Sequence, residues 1–164
     1  MTEDGLFVCK SPTVNVWADE WDDEEDWSGG GAKSRRLVPR GPFLGATVWE
    51  LDPGRWVIYH AHHGSEELLF VLRGRPTLRT PEGERELAPG DVAFFPKGPD
   101  GAHQIVNRSD EPALYVIAAN HVSPEVVEHV DSGKVLAMSR IGPLWPVHRR
   151  ADAVDYFDGE EARG

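Results

Sequence analysis

From Phe43 onward the chain alternates short apolar runs with turn residues. The runs are Phe43–Leu51, Trp56–His62, Glu67–Arg73, Arg75–Thr80, Glu84–Ala88, Val92–Phe95, His103–Arg108 and Ala113–Ala119. Most are separated by breaks rich in Pro, Gly, Asp or Ser, such as Asp52-Pro53-Gly54, Pro81-Glu82-Gly83 and Pro89-Gly90-Asp91. Those residues favour tight turns, so the runs read as strands. Strands this short and evenly spaced predict an all-β sandwich, jelly roll or barrel. Helical periodicity competes only at Pro124–Val130, where one short helix is expected. In Glu67–Arg73 both strand faces are apolar: Leu69 and Val71 point one way, and Leu68, Phe70 and Leu72 the other. A lone barrel would leave one row open to water. The N-terminal arm, the C-terminal segment or a second subunit must therefore cover it, and a homodimer is expected.

Composition sharpens this picture. A length of 164 residues with 40% hydrophobic content suits one domain with a sizeable core. The 17 glycines and 13 prolines agree with a turn-rich β fold. The formal net charge of −11 argues against nucleic acid or an anionic membrane as partner. No apolar run approaches the roughly 20 residues of a membrane helix. The start, Met-Thr-Glu-Asp-Gly, lacks a basic or apolar leader. The single Cys9 permits no internal disulfide, and a cytoplasmic location is the expectation.

The charge is unevenly spread. Asp19–Asp26 is an acidic run among Trp17, Trp21 and Trp27. Like charges this dense repel, so residues 1–36 are expected to form an extended arm with its tryptophans against the barrel exterior. Residues 37–122 are expected to form the barrel, and 123–164 a C-terminal segment packed on it.

Candidate chemistry concentrates in Gly54–Gly74, where three histidines and two glutamates lie between His60 and Glu67. His60 and His62 share a strand face, while His63 falls on the other. The turn His63-Gly64-Ser65 leads into the next strand, so a hairpin brings two imidazoles and a carboxylate, Glu66 or Glu67, to one point. That is a ligand set for a divalent transition metal. Nucleophilic catalysis has no support, because no G-x-S-x-G occurs and Cys9 has no histidine near it in sequence. Asp131-Ser132-Gly133-Lys134 is not a phosphate loop, since Glu128 stands where a glycine is required and Val135 where a hydroxyl is.

Gly54, His60, His62, Glu67 and Gly74 resemble the first motif of the cupin superfamily, G-x5-H-x-H-x(3,4)-E-x6-G. Gly90, Pro96, Gly98, His103 and Asn107 resemble the second, G-x5-P-x-G-x2-H-x3-N, with four residues instead of two between Gly98 and His103. The resemblance covers roughly residues 43–119. It implies a cupin-type jelly-roll β-barrel with a metal held by His60, His62, Glu67 and His103. The metal would be Fe, Mn, Ni, Zn, Co or Cu, and Asn107 would support either the ligands or a turn. Cupins include oxygenases, isomerases, epimerases, decarboxylases and non-catalytic binders, so several functions stay open. The leading expectation is a metal-dependent, dioxygenase-type oxidoreductase acting on a small polar metabolite. An isomerase or epimerase, or a protein binding a sugar or organic acid, are the alternatives. Strand parity predicts a pocket walled by Trp49, Ile58, Leu69, Ile105 and Tyr115; Thr47, Thr77, Arg79 and Gln104 are the polar candidates, Gln104 against its parity, and Arg79 either meets an anion or lies on the surface.

Overall fold

A computed structural model describes residues 14–26, 29–38, 43–139 and 146–161. Cys9 and Trp27 lie outside them. The regular structure of the described residues is almost all strand. In chain order the strands are β1 Asp23–Glu24, β2 Lys33–Arg36, β3 Leu44–Leu51, β4 His60–His62, β5 Glu67–Arg73, β6 Thr77–Thr80 and β7 Gly83–Glu86. They continue with β8 Val92–Phe95, β9 Gln104–Val106, β10 Ala113–Asn120, β11 Glu125–His129, β12 Lys134–Met138 and β13 Val147–Arg149. Single 3-10 turns occupy Pro99–Gly101 and Arg150–Asp152.

The strands form three antiparallel sheets, ordered β1-β2-β3-β10-β5-β8, β13-β12-β11-β4 and β7-β6-β9. Bridges Trp56↔Val106 and His60↔His103 join the two smaller sheets into one wall facing the larger. The core between the walls comes from alternate residues: Leu51 on β3, Leu69 and Val71 on β5, Phe95 on β8, Ile105 on β9 and Tyr115 on β10. Each such buried side chain is worth about 1.5–3 kcal/mol of apolar transfer. Gly74 ends β5 with φ +78°, and a Cβ there would stand 2.7 Å from Pro112 O. Conformation and space both demand glycine.

The outer face of the large sheet is covered only in part. Val48 on β3 is buried beneath the arm, where Arg35 of β2 lies across from it. The Arg35 guanidinium is buried and donates to three carbonyls, Ala18 O at 2.7 Å, Glu20 O at 2.9 Å and Asn15 O at 2.8 Å, with Trp21 against it. The acidic run contains β1, which pairs with β2. It is also tied down by cations, Asp26 to Arg55 at 2.6 Å and Asp23 to Arg36 at 3.4 Å. Farther along the same face, Leu68, Phe70, Val92 and Phe94 stay exposed, with Leu68 paired to Phe94 and Phe70 to Val92.

The short helix expected at Pro124–Val130 is not formed. Glu125–His129 is instead a central strand, paired with β12 on one side and β4 on the other. Burial explains the difference: Glu125 and Val127 face inward while Val126 faces out. Only one of the two adjacent valines is inward, so the inward positions match the apolar ones only in part.

Candidate metal centre

The site is built mainly on backbone pairing. His60 and His103 form a hydrogen-bonded antiparallel pair, His60 N to His103 O at 3.1 Å and His103 N to His60 O at 2.9 Å. Their ring centroids lie 4.6 Å apart as a result. His62, two residues along β4, shares the face, and its ring centroid is 5.1 Å from that of His60. Glu67 opens β5 opposite Phe95. The Phe95 ring stacks on His103 at 3.7 Å and 7°. The four-residue spacer that departs from the second motif is a single 3-10 turn, Pro99–Gly101. It aims the Gly101 carbonyl at His103 Nδ1, 2.9 Å away. Gly101 has no room for a side chain, since a Cβ would lie 1.6 Å from Pro96 O.

These hydrogen bonds fix the imidazoles. A carbonyl only accepts, so His60 Nδ1, 2.8 Å from Ile58 O, carries a proton, and so does His103 Nδ1. In the neutral rings Nε2 is then a lone pair. His103 Nε2 lies 3.2 Å from Glu67 Oε2, and His62 Nε2 lies 3.7 Å from Glu67 Oε1. With neutral imidazoles Glu67 Oε2 is buried without a hydrogen-bond donor. Ligand atoms of His60, His62 and Glu67 all fall within 4.8 Å of one another. His103 lies outside that closest set and adjoins it through Glu67. Lone pairs aimed at each other in a dry site repel unless a proton or a cation stands between them.

Electrostatics point the same way. Burial, then the neighbouring His103 and His62, push the His60 imidazole down to about 3 from an ordinary 6.5. Burial alone would raise the Glu67 carboxyl. The neighbouring imidazoles of His103, His62 and His60 outweigh it and hold Glu67 at about 2. His60 and Glu67 therefore stand ready in their metal-binding forms at neutral pH.

Beside His62 and Glu67 opens a cavity of about 150 Å³, walled by Thr47, Trp49, Ser65, Ile117, Asn120, His121 and Met138, with Gly45 and Ala119 at its edge. Among the described residues no lysine or arginine lines it. His121 is fitted against Gly45, where a Cβ would stand 2.1 Å from His121 Nε2.

The model of the Cupin domain family matches residues 47–119, the span that holds all four candidate ligands. The chain carries a cupin domain. Solved structures share its architecture. A protein of Acidithiobacillus ferrooxidans assigned as a sugar phosphate isomerase is 27% identical, with TM-score 0.69 over 77% of this chain and 81% of its own. A sugar phosphate isomerase from a cupin superfamily of Silicibacter pomeroyi is 24% identical, with TM-score 0.73 over 90% and 98%. The polyketide cyclase RemF of Streptomyces resistomycificus is 24% identical, with TM-score 0.51 over 60% and 72%. The last two likenesses are of fold alone. No curated protein matches the chain.

Several sequence-level candidates sit elsewhere. Of the expected walls, Thr47 and Trp49 line the cavity, whereas Leu69, Ile105 and Tyr115 belong to the closed core. Ile58 and Gln104 border a separate cavity with Trp56 and Tyr59. Arg79 is engaged by Asp131 through two contacts at 2.7 and 2.9 Å and lies over Tyr59, so it does not serve an anion here. His63 faces outward to Glu128 at 3.3 Å, and Glu66 is exposed. Asn107 is a turn residue, donating to Leu51 O and Glu111 O and accepting from Ser109. The sequence reading missed Ser65, Asn120, His121 and Glu125. For Asn120 and His121 a signal existed, since they end the strand that borders the site.

Proposed function

We propose that this chain is a metal-dependent enzyme of isomerase type acting on a small, hydroxyl-rich carbonyl metabolite. The observation that carries the reading is the meeting of imidazole and carboxylate lone pairs, buried and without a donor on Glu67 Oε2, at the edge of a polar-walled cavity. His60, His62, Glu67 and His103 would hold a divalent transition metal through nitrogen and oxygen donors. Bound there, it would supply a Lewis-acidic position for a substrate oxygen. Thr47, Ser65 and Asn120 offer hydroxyl and amide groups to orient the substrate, and Trp49 and Ile117 exclude water from one side. His121 is the wall residue able to carry a proton between substrate carbons. The 27% identical neighbour assigned as a sugar phosphate isomerase supports this class. The absence of lysine and arginine from the described wall favours neutral hydroxyl-carbonyl substrates over phosphorylated ones. The donor set also suits redox metals, which keeps a dioxygenase as the second reading.

The test follows deuterium exchange from solvent into a panel of aldoses, ketoses and hydroxy acids by proton NMR, with Mn²⁺- or Zn²⁺-loaded protein. Exchange that is lost in Glu67→Gln and in His121→Gln supports isomerisation. Oxygen uptake by iron-loaded protein without such exchange replaces it with the dioxygenase.

A further inference from the structure

The three imidazoles are not held alike. His60 and His103 each place Nδ1 on the carbonyl two residues before them. His62 has no such partner, and its Nδ1 is buried without a hydrogen bond. The nearest acceptor is Glu125 Oε2 at 3.9 Å. Glu125 is 1% exposed and stands on β11, beyond the span that matches the cupin family. It is aimed deliberately: Gly64 N donates to Oε1 at 2.8 Å, Val126 N donates to the same oxygen at 3.0 Å, and Ser65 Oγ donates to Oε2. Oε2 thus keeps lone-pair capacity on the side of His62.

A buried carboxylate costs several kcal/mol unless its charge is matched. Among the described residues no lysine or arginine pairs with Glu125, and its three neutral donors satisfy its hydrogen-bonding capacity only in part. The missing counter-charge lies on the far side of His62, where the cation would sit. We propose that Glu125 is the positioning residue of the metal centre, accepting the Nδ1–H of His62 when metal occupies Nε2 and so completing a carboxylate–imidazole–metal relay. This rests on the metal reading above. The relay does three things. It selects the His62 tautomer whose Nε2 lone pair faces the metal. It makes that nitrogen a stronger donor. It also lowers the net charge of the centre from about +1, for a divalent ion with Glu67, to about 0. Residues that hold a ligating histidine in this way typically change metal affinity about 10- to 100-fold when replaced.

The variant is Glu125→Gln. Gln can keep its carbonyl on Gly64 N and Val126 N, but its NH2 then faces His62 Nδ1–H, donor against donor. Co²⁺ titration of the full chain, followed by calorimetry and by the visible spectrum, should show about 10- to 100-fold weaker binding in Glu125→Gln and an altered ligand-field band. Equal affinities within twofold would overturn the proposal. A second measurement needs no variant. The Zn²⁺-loaded wild-type chain should show three slowly exchanging imidazole Nδ1–H protons, two from His60 and His103 and the third from His62. Only two would also overturn it. Wild-type protein that takes up neither Co²⁺ nor Zn²⁺ would sink the metal reading itself, a result distinct from normal uptake that ignores Glu125.

Discussion

The two flanking segments extend the same barrel in opposite ways. The N-terminal one adds β1 and β2 beside β3 and sets Arg35, with Trp21 against it, across from Val48 on the face away from the candidate ligands. The C-terminal one adds β11–β13 beside β4, the strand that carries His60 and His62, and places Glu125 behind His62 and Met138 in the cavity wall. Both are built by strand addition, yet one packs on the outer face and the other lies behind the candidate ligands. What decides is which face of which strand the addition meets.

The largest effect expected from breaking this contrast is loss of the C-terminal addition. A chain ending at Val122 leaves β4 without a neighbour on that side and removes Glu125. Metal content by elemental analysis should fall to background. A chain starting at Gly29 should keep its metal while its thermal midpoint drops. Equal metal loss in both truncations would erase the distinction.

A smaller and more local blow is Arg35→Met. It removes the donor group from three backbone carbonyls under the arm, and such losses cost about 1–3 kcal/mol when the groups stay buried. Denaturant titration should show that cost with metal stoichiometry unchanged. Restricted metal uptake in this variant would mean that the arm reaches the site.

Both segments were hard to read in the sequence for one physical reason. Lys33–Arg36 has no apolar residue, but Ser34 and Arg35 are buried by hydrogen bonding. Glu125–His129 buries a glutamate and exposes Val126, which inverts the alternation that marks a half-buried strand. Hydropathy finds strands that hide hydrocarbon, as at Leu44–Leu51, Glu67–Arg73, Val92–Phe95 and Ala113–Asn120. It does not find strands whose inward side chains are polar and satisfied. The candidate ligands were legible because the histidines and Glu67 sit at motif spacings. Glu125 was not, because its link to His62 runs across a strand pair 63 positions apart in sequence, with no local period.

The mildest test is acidification of the metal-free protein. An unfolded chain protonates His60 near pH 6.5, whereas the folded chain resists until about pH 3. Between those values the unfolded state binds more protons, so stability must fall as pH drops through that window. The denaturation midpoint should decline steadily from pH 7 to pH 4. The decline should be shared by the chain starting at Gly29, because His60 lies in the part both chains keep. A flat profile would mean that His60 is less enclosed than its contacts indicate.

The Gly101 and Ile58 carbonyls have a further consequence. They belong to the main chain, so no side-chain substitution deletes them, and two of the three imidazoles are anchored by backbone alone. The wall that would meet a substrate comes largely from elsewhere: Thr47 and Trp49 on β3, and Asn120 and His121 at the end of β10. Substitutions in that wall can change its shape and chemistry while leaving the two anchored imidazoles in place.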